Sequence, residues 1–384
     1  MAPVSEDKFD RVCVGGTFDN LHDGHKRLLG EAIKVTKSRL IIGVTDESMI
    51  RSKVLWELIK PVEERINNLR SYLESLTIPD IVYDIVPISD PFGPSIEDPS
   101  IGCIVVSQET VKGGEKINQI RKEKGMEQLK IIAIDLIPET KKESEKEDDK
   151  ISSSSARIRM LGRLIREPGS DRLAYKPDEP YLIGLTGGIA SGKSSIGNIL
   201  ESKGAGIINC DLIAHQSYEP GSNAYSQLIE SFGCEIIDQG NERRINRGVL
   251  GTKVFSSPDL LSKLESIVWP ATRILVEKQI SRFKSENKAV IVIEASQLIE
   301  AKWTKCVNQV WVTFIPESEA IKRLYERNKL SEEEARKRIN AQMSNLDRIK
   351  HANVLFSTLW ERDFTKQQVM KAWKMLSQRF LRKI

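Results

Sequence analysis

The chain has 384 residues, of which 40% are hydrophobic and 29% are charged, and its formal net charge is only +4. This length allows two or three domains with substantial cores, and the composition excludes disorder as the main state. The small charge surplus excludes a dedicated nucleic-acid binder, although it allows local basic pockets for phosphorylated ligands.

The cysteines are isolated and show no CxxC spacing: Cys13, Cys103, Cys210, Cys234 and Cys306. This pattern argues against a disulfide framework and a zinc site, and it favours a reducing compartment. The N-terminus lacks the apolar run of a signal peptide, and the longest apolar runs fall far below the ~20 residues of a membrane span. We therefore expect a cytoplasmic protein without an integral membrane segment, and peripheral association with mitochondria stays an open alternative.

Apolar runs of strand length alternate with helical stretches along both halves of the chain. The first half predicts helices that start near His25 and span 61–76 and 110–124, and strands at 11–15, 39–44, 81–87, 102–107 and 130–137. The second half predicts longer helices, and strands at 181–186, 206–209, 289–294, 309–314 and 354–356. Alternation of this kind indicates βαβ units. The predicted fold class is α/β, with a mostly parallel sheet in each of two domains.

Two polar segments interrupt this pattern. Residues 141–150 form a run of mixed charge that is typical of a solvated, flexible loop. Residues 166–180 contain three prolines and indicate an interdomain linker. We therefore expect a first domain at 1–165, the linker at 166–180 and a second domain at 181–384.

A glycine-rich turn with two histidines follows the first predicted strand. The segment from Gly15 to His25 reads GGTFDNLHDGH and contains two of the four histidines of the chain. Glycines allow a sharp turn close to a ligand, and the N-terminus of the following helix favours phosphate. His22 and His25 can donate hydrogen bonds to charge that develops on phosphate oxygens. The alternatives are a capped turn with one packed histidine and, more weakly, a zinc site that would lack a nearby third ligand.

A serine-rich segment, ISSSSARIR from Ile151 to Arg159, provides a second candidate phosphate contact. Serines ahead of a helix can simply cap it. Four serines followed by Arg157 can also form a cradle of hydroxyl and guanidinium groups for phosphates.

The strongest single motif is GGIASGKS from Gly187 to Ser194, which fits G-x-x-x-x-G-K-[ST] between a predicted strand and a predicted helix. The loop amides would wrap phosphates, Lys193 would neutralise them, and the Ser194 hydroxyl would ligate Mg²⁺. The residues expected to bind ATP in this half are Gly187, Gly188, Ile189, Ala190, Ser191, Gly192, Lys193, Ser194, Ser195 and Arg327.

Two further segments indicate a kinase. Asp211 follows a predicted strand near the crevice of an open sheet, where a carboxylate can accept a proton from an attacking hydroxyl, and helix N-capping is the alternative. Arg323 and Arg327 lie one helical turn apart, ahead of a predicted capping box at Ser331 and Glu334. This arrangement predicts a lid that brings arginines onto the transferred phosphate, with exposed salt bridges as the alternative.

The first half resembles the HxGH nucleotidyltransferases, and among them phosphopantetheine adenylyltransferase, through TFDNLHDGH and ISSSSAR. The resemblance implies that Thr17 and His25 contact phosphates, that His25 stabilises the pentacoordinate transition state, and that residues 152–157 hold the β- and γ-phosphates of ATP. The implied ATP contacts are Gly16, Thr17, Phe18, His22, His25, Ser152, Ser153, Ser154 and Arg157. A looser match adds Lys53, Arg65 and Arg121 as substrate-binding residues.

The second half resembles dephospho-coenzyme A kinase through GLTGGIASGKS, the segment from Asp211 to His215, and RLYERNKLS. The resemblance implies Asp211 as the base or orienting group for a ribose 3′-hydroxyl and Arg327 as a lid residue. The chain departs from the family pattern at Ala190, at Trp269-Pro270 and at 294–298, and the last two lie where the acceptor substrate is expected to bind.

Together the two halves resemble bifunctional coenzyme A synthase. The resemblance implies adenylyl transfer to 4′-phosphopantetheine and then phosphorylation of dephospho-coenzyme A, with ATP as co-substrate, Mg²⁺ in both steps and small molecules as partners. One alternative is a pyridine nucleotide adenylyltransferase fused to a ribosylnicotinamide kinase, which the Asp211 segment and the predicted lid disfavour. The other is a nucleotide-sensing scaffold with decayed sites, which the intact His22, His25, Lys193 and Ser194 disfavour.

Overall fold

The computed structural model describes residues 8–174, 176, 178–238, 240, 243–254 and 257–380. The chain forms two compact units that divide between Arg159 and Met160. Each unit contains one five-stranded sheet, and the pairings between the named strands are parallel. The predicted α/β class with two domains is confirmed.

The first unit has its central strand next to the first candidate motif. Its strands are β1 (Phe9–Gly16), β2 (Thr36–Thr45), β3 (Val82–Ile88), β4 (Cys103–Ser107) and β5 (Lys130–Ile134). Its helices are α1 (Asp23–Lys34), α2 (Glu47–Ile50), α3 (Val62–Ser75), α4 (Val111–Glu123) and α5 (Ser153–Met160). The strand order is β3-β2-β1-β4-β5, so the order reverses beside β1. Ligands bind at such a switch point, outside the carboxyl ends of the strands.

Alternate residues of β1 pack against helices on opposite faces of this sheet. Val12 and Val14 lie in an apolar cluster with Leu29 of α1, whereas Cys13 lies in a second cluster with Ile117 of α4. Because successive strand side chains point to opposite faces, the central strand is covered on both sides. The loop that leaves β1 is therefore attached to a rigid support.

The second unit repeats this arrangement with longer helices. Its strands are β6 (Tyr181–Gly187), β7 (Gly206–Asn209), β8 (Val290–Glu294), β9 (Gln309–Phe314) and β10 (Val354–Ser357), in the order β10-β9-β6-β8-β7. Its helices are α6 (Lys193–Glu201), α7 (Cys210–Gln216), α8 (Asn223–Phe232), α9 (Arg247–Val254), α10 (Pro258–Ser285), α11 (Glu317–Asn328), α12 (Glu332–Asn340), α13 (Asn345–His351) and α14 (Arg362–Phe380). Every residue of the central strand β6 is buried, and the phosphate-loop motif follows it directly.

The predicted strands are present, and their ends differ from the prediction by at most three residues. The domain boundary needs a larger correction. Residues 160–165, which the sequence assigns to the first domain, belong to the second unit because Gly162 N–H donates to Leu355 O and Ile165 N–H donates to Asn353 O, both at 2.8 Å. The described residues of the predicted linker 166–180 belong to the same unit.

The polar run 141–150 forms no helix or strand, in agreement with its prediction as a loop. Its centre is nevertheless anchored, because Glu147 is buried and its Oε2 atom accepts a 2.7 Å hydrogen bond from Nε of Arg159. The segment is therefore less solvated than the charge pattern predicts. None of the described helices is long and apolar enough to cross a membrane.

Candidate active sites

The loop between β1 and α1 carries the first candidate site. Phe18 and Asn20 have φ angles of 49° and 48°, a left-handed conformation that costs energy for residues other than glycine. The Phe18 ring is 1% exposed, and it lies 3.2 Å from the place that a Cβ atom on Gly16 would occupy. Glycine at position 16 thus leaves room for the Phe18 ring. Burial of this ring stabilises the left-handed backbone of the loop.

His22 and His25 stack on each other at the N-terminus of α1. His22 is the N-cap residue, and the two ring centroids are 3.8 Å apart with an interplanar angle of 22°. Burial lowers the pKa of both imidazoles, that of His25 to about 3, with the neighbouring His22 as a smaller cause. Both rings are therefore neutral at neutral pH. Within the described part of the chain, their buried Nδ1 atoms have no hydrogen-bond partner, so each is available to a ligand.

Arg157 forms a buried ion pair that the sequence analysis missed. Its Nη1 atom lies 2.7 Å from Oδ2 of Asp19, and the two side chains are 2% and 0% exposed. Its Nε atom donates to Val54 O at 2.9 Å, and Nη2 donates to the Ser154 hydroxyl at 3.2 Å. Since every guanidinium nitrogen has an internal partner, Arg157 ties α5 to the histidine loop. Its role as an ATP contact stays a prediction.

The neighbouring serines make the same connection. The Ser153 hydroxyl donates to Asp19 O at 2.7 Å. The Ser152 hydroxyl accepts a 3.0 Å hydrogen bond from Ser155 N–H, so the capping alternative describes Ser152 correctly. The serine segment therefore builds the site wall, and its role as a phosphate cradle stays a prediction.

Two helix N-termini and two cationic side chains lie near the histidines, together with the carboxylates of Asp19 and Asp23. The N-termini of α1 and α5 converge, because a Cβ atom on Gly24 would lie 3.7 Å from Ile151 O, and helix N-termini favour anions. Arg65 donates from Nη1 to Thr17 O at 2.7 Å, and its buried Nη2 has no partner among the described residues. Burial, assisted by the charges of nearby arginines, lowers the pKa of Lys53. The roles of Lys53 and Arg65 as ligands of a phosphorylated substrate stay predictions.

Arg121, which the sequence predicts as a substrate ligand, is instead part of the core. It is 0% exposed, and a guanidinium has five N–H donors. These donors reach the backbone carbonyls of Ser95, Asp98, Pro99, Ile101 and Glu127. With its donors bonded to these carbonyls, Arg121 closes the loop before β4 onto α4, and its role as a substrate ligand stays a prediction.

The phosphate-loop motif joins β6 to α6 and forms the second candidate site. Ala190 and Gly192 have φ angles of 60° and 88°, and a Cβ atom on Gly187 would collide with Thr313 O. Position 187 therefore requires glycine, because the backbone there lies against the neighbouring strand β9. The loop borders a cavity of about 520 Å³ that is lined by Ala190, Ser191, Gly192, Lys193, Ser194, Ser195, Arg323, Glu326 and Arg327.

Lys193 is buried and folds back onto its own loop. Its Nζ atom donates to Gly187 O at 2.9 Å and to Gly188 O at 3.4 Å. Burial lowers the pKa of this ammonium, whereas the charges of Asp211 and Glu294 raise it. Loop, lysine and two carboxylates are thus gathered at the carboxyl ends of the central strands.

The two carboxylates have different partners. Glu294, buried at the end of β8, accepts a 2.7 Å hydrogen bond from the Ser194 hydroxyl. Asp211 is exposed and accepts a 2.9 Å hydrogen bond from the Ser296 hydroxyl, while Asn209 and not Asp211 caps α7. The described residues contain no cluster of three or more His, Cys, Asp or Glu that could hold a metal. Ser194 and Glu294 together still offer the oxygen ligands that Mg²⁺ combines with substrate phosphates.

The two arginines of α11 take different roles. Arg323 donates from Nη1 to Ala190 O at 3.2 Å and to the Thr358 hydroxyl at 2.8 Å, so it fixes α11 against the phosphate loop. Arg327 lines the cavity one turn later, is exposed, and donates from Nε to Asn328 Oδ1 at 2.8 Å. Of these two arginines, Arg327 has its guanidinium exposed at the cavity, and its role as a lid residue stays a prediction.

The two departures from the family pattern meet at one helix. Trp269 and Pro270 lie inside α10, and Gln297 donates from Nε2 to Oε1 of Glu265 on the same helix at 3.1 Å. Glu265 and Trp269 are four residues apart and share a helix face. The structure therefore brings both departures to the same region.

Comparison with known proteins accounts for the second unit. The family model for dephospho-CoA kinase matches residues 181–358. The dephospho-CoA kinase of Carboxydothermus hydrogenoformans is 38% identical over 196 residues, which are 50% of this chain and 94% of that protein. The chain belongs to the dephospho-CoA kinase family. The kinase of Oceanobacillus iheyensis is 35% identical over 197 residues, 50% of this chain and 98% of that protein.

A second family model, described as cytidylyltransferase-like, matches residues 13–160. The solved dephospho-CoA kinase from Campylobacter jejuni is 26% identical, with a TM-score of 0.40 over 51% of this chain and 97% of that one. The chain thus adds a cytidylyltransferase-like domain to a dephospho-CoA kinase domain. This is the order of domains that the sequence predicts.

Both sites contain residues that the sequence motifs did not indicate. Glu294 appeared only as a departure from the family pattern, and Asp19 and Gln342 were not singled out. Gln342 accepts a 2.8 Å hydrogen bond from Ile189 N–H of the phosphate loop. A charged residue that ends the apolar run VIVIE was the available signal for Glu294, because a buried carboxylate needs a partner.

Proposed function

We propose that the chain catalyses the last two steps of coenzyme A biosynthesis. It transfers an adenylyl group from ATP to 4′-phosphopantetheine, giving dephospho-CoA and diphosphate. It then phosphorylates the ribose 3′-hydroxyl of dephospho-CoA with a second ATP, giving coenzyme A and ADP. The observation that carries the proposal is the succession of a cytidylyltransferase-like domain with a stacked histidine pair and a dephospho-CoA kinase domain in one chain.

In the first reaction, a phosphate oxygen of 4′-phosphopantetheine attacks the α-phosphorus of ATP and diphosphate leaves. The neutral imidazoles of His22 and His25 donate hydrogen bonds to the oxygens on which charge develops. Lys53 and Arg65 balance the charge of the phosphates that the site brings together. The protein mainly positions groups and offsets charge, which is the usual route of phosphorus-centred displacement.

In the second reaction, the ribose 3′-hydroxyl attacks the γ-phosphorus of ATP and ADP leaves. Lys193 turns from the loop carbonyls to the phosphates, which the loop amides also bind. Asp211 orients the hydroxyl and takes up its proton. Arg327 approaches the phosphates when the lid closes.

We propose Mg²⁺ as the metal of both reactions. In the kinase site Ser194 and Glu294 would hold it, since a hydroxyl and a carboxylate suit this ion. When bound, it neutralises negative charge on the phosphate oxygens.

We also propose that the partners are small molecules and that the protein is cytoplasmic. The five cysteines are free thiols, as expected in a reducing compartment. The balanced charge supports small substrates over nucleic acid.

The proposal is tested by incubating the full chain with 4′-phosphopantetheine, ATP and Mg²⁺ and identifying the products by mass spectrometry. We expect coenzyme A from the wild type, dephospho-CoA that accumulates with Lys193→Ala, and little of either product with His25→Ala. The controls are Lys26→Ala, an exposed residue next to His25, and Lys203→Ala, an exposed residue beyond the C-terminal end of α6, both of which the proposal leaves active.

Each failure has a separate meaning. If the wild type stops at dephospho-CoA, the acceptor assignment of the kinase site is wrong. If no pantetheine product forms and nicotinamide mononucleotide is adenylylated instead, the assignment of the first substrate is wrong.

A further inference from the structure

Arg348 is a buried cation that neither the motifs nor the proposed mechanism uses. It lies on α13, whose first turn is capped by Ser344, and it is 2% exposed. Within the described ranges, its guanidinium donates one long hydrogen bond, from Nη2 to Oε1 of Glu300 at 3.5 Å. Its buried Nε atom has no partner among those residues. Most of the five guanidinium donors are therefore unused.

Such a buried charge calls for an anion. A hydrogen bond of 3.5 Å is at the limit of the useful range, and an unpaired buried charge is strongly unfavourable. Glu300 is a distant counter-ion at 3.5 Å, and its second carboxylate oxygen is buried without a partner among the described residues. Native structures rarely leave buried polar groups unpaired, and functional sites are among the exceptions.

The position of Arg348 indicates which anion it serves. Its Nη1 atom lies 3.1 Å from the place that a Cβ atom on Gly188 would occupy. The side chain of Gln342, which precedes α13, accepts a hydrogen bond from the N–H of Ile189, the residue that follows Gly188 in the phosphate loop. Burial is the main cause of the lowered pKa of Lys193, and the charge of Arg348 contributes to it. Arg348 and the Lys193 ammonium therefore lie at the same end of the phosphate loop.

The chemistry of this end of the loop favours the terminal phosphate. The loop amides cradle the α- and β-phosphates, and the motif lysine reaches the β- and γ-phosphates. Arg323 is already bonded to the loop, and Arg327 lines the cavity beside residues 190–195. Arg348 instead faces Gly188, on the side where Lys193 Nζ contacts the carbonyls of Gly187 and Gly188.

We propose that Arg348 binds the γ-phosphate of ATP in the kinase site and stabilises it during transfer. This rests on the proposed kinase reaction. The guanidinium exchanges its long contact with Glu300 for hydrogen bonds to phosphate oxygens. Charge in the transition state spreads over the three equatorial oxygens, and a rigid arginine fork suits two of them. ADP, which lacks this phosphate, gains little from Arg348.

The test compares nucleotide affinities of Arg348→Met, Arg348→Lys and the wild type in the full chain. The nucleotides are ADP and a non-hydrolysable ATP analogue with an imido bridge, both with Mg²⁺, measured by titration calorimetry. Lys193→Ala identifies which of the isotherms belongs to the kinase site. We expect Arg348→Met to bind ADP within about twofold of the wild type and the analogue about tenfold more weakly or worse, because only the latter carries a γ-phosphate.

Turnover with dephospho-CoA and ATP gives the second readout. We expect kcat to fall about 10³-fold in Arg348→Met, in the range known for arginines that stabilise phosphoryl transfer, and less in Arg348→Lys. Glu300→Gln is the matched control, because it removes the counter-ion and leaves the guanidinium in place. We expect it to keep analogue affinity and kcat at or above the wild-type values.

A purely structural ion pair gives a different pattern. Arg348→Met and Glu300→Gln would then lower the melting temperature and kcat alike, and the ratio of ADP to analogue affinity would stay at the wild-type value. That result overturns the proposal, and if Arg348→Met does not fold, the same ratio in Arg348→Lys decides. A wild type that binds both nucleotides without phosphorylating dephospho-CoA contradicts the proposed acceptor and leaves the assignment of Arg348 to be judged on affinity.

Discussion

Three arginines of the first unit illustrate what decides the role of a single residue. Arg65, Arg121 and Arg157 have the same five donors, and all three are 0–1% exposed. Carbonyls satisfy Arg121, and Asp19 with two further partners satisfies Arg157. Within the described chain, Arg65 alone of the three has a nitrogen without a partner. The neighbours that the fold supplies, and not the side chain itself, separate a structural arginine from a ligand-binding one.

The buried imidazole of His25 predicts an acid-sensitive first unit. Its pKa is lowered from 6.5 to about 3 by burial, so the unfolded state binds more protons than the folded state between these values. Stability is therefore fully present above pH 6.5 and is lost as the pH falls towards 3. We expect the urea midpoint of the first unit to fall more steeply from pH 7 to pH 4 in the wild type than in His25→Gln.

The control for this titration is His351→Gln, a histidine change in the second unit. It should leave the pH dependence of the first unit as in the wild type. Equal slopes for the wild type and His25→Gln would show that His25 has the same pKa in the folded and unfolded states, contrary to its burial.

At the scale of elements, helix N-termini divide into capped and open ones. The capping box that the sequence predicts is present, because Ser331 accepts from Glu334 N–H and the Glu334 carboxylate accepts from Ser331 N–H. The helices α1 and α6 start at the two sites, and their N-caps, His22 and Gly192, form no side-chain cap hydrogen bond. Their first amides are thus left for an anion. Both helix ends therefore forgo the stability of a side-chain cap, and an anion can bind there instead.

This exchange is testable at the start of α1. His22→Ser supplies a hydroxyl that can cap the helix, whereas His22→Ala supplies none. We expect the serine variant to have a free energy of unfolding about 1 kcal/mol higher than the alanine variant, measured by urea denaturation. Both variants should lose adenylyl transfer, since neither has the second imidazole. Equal stability of the two would mean that the amides of α1 are already satisfied.

At the scale of the whole molecule, each unit has its own sheet, its own apolar clusters and its own site. The clusters of the first unit contain residues up to Ile134 and those of the second start at Tyr181. The residues assigned to each site belong to one unit. The two proposed reactions therefore use separate sets of residues, that is, separate machinery.

Separate machinery predicts that two inactive chains complement each other. A mixture of His25→Ala and Lys193→Ala should convert 4′-phosphopantetheine to coenzyme A, because each chain retains one complete site and dephospho-CoA can pass through solution. The measurement is the time course of coenzyme A by mass spectrometry, with each variant alone as the control. A mixture that forms dephospho-CoA and no coenzyme A would mean that the intermediate has to stay on one chain.

The sequence by itself determined what is local. The strands, the capping box and the loops at Gly16 and Gly187 follow from spacings within about ten residues, because periodicity and turn chemistry act over that range. These features predicted the fold class, and they marked the two loops that we propose to bind phosphate. The looser matches did not foresee the carbonyls around Arg121, because a spacing of motifs carries no information on which backbone groups surround a side chain.

Only the tertiary structure decided the partners that are distant along the chain. Ser194 and Glu294 are 100 residues apart, Asp19 and Arg157 are 138 apart, and Ile189 and Gln342 are 153 apart. The strand order places these groups at the carboxyl ends of the strands in two sheets. Because these ends are buried, the hydrogen bond within each pair is electrostatically stronger than it would be in water. A single sequence names the groups, and the packing of the sheets and helices selects which of them meet.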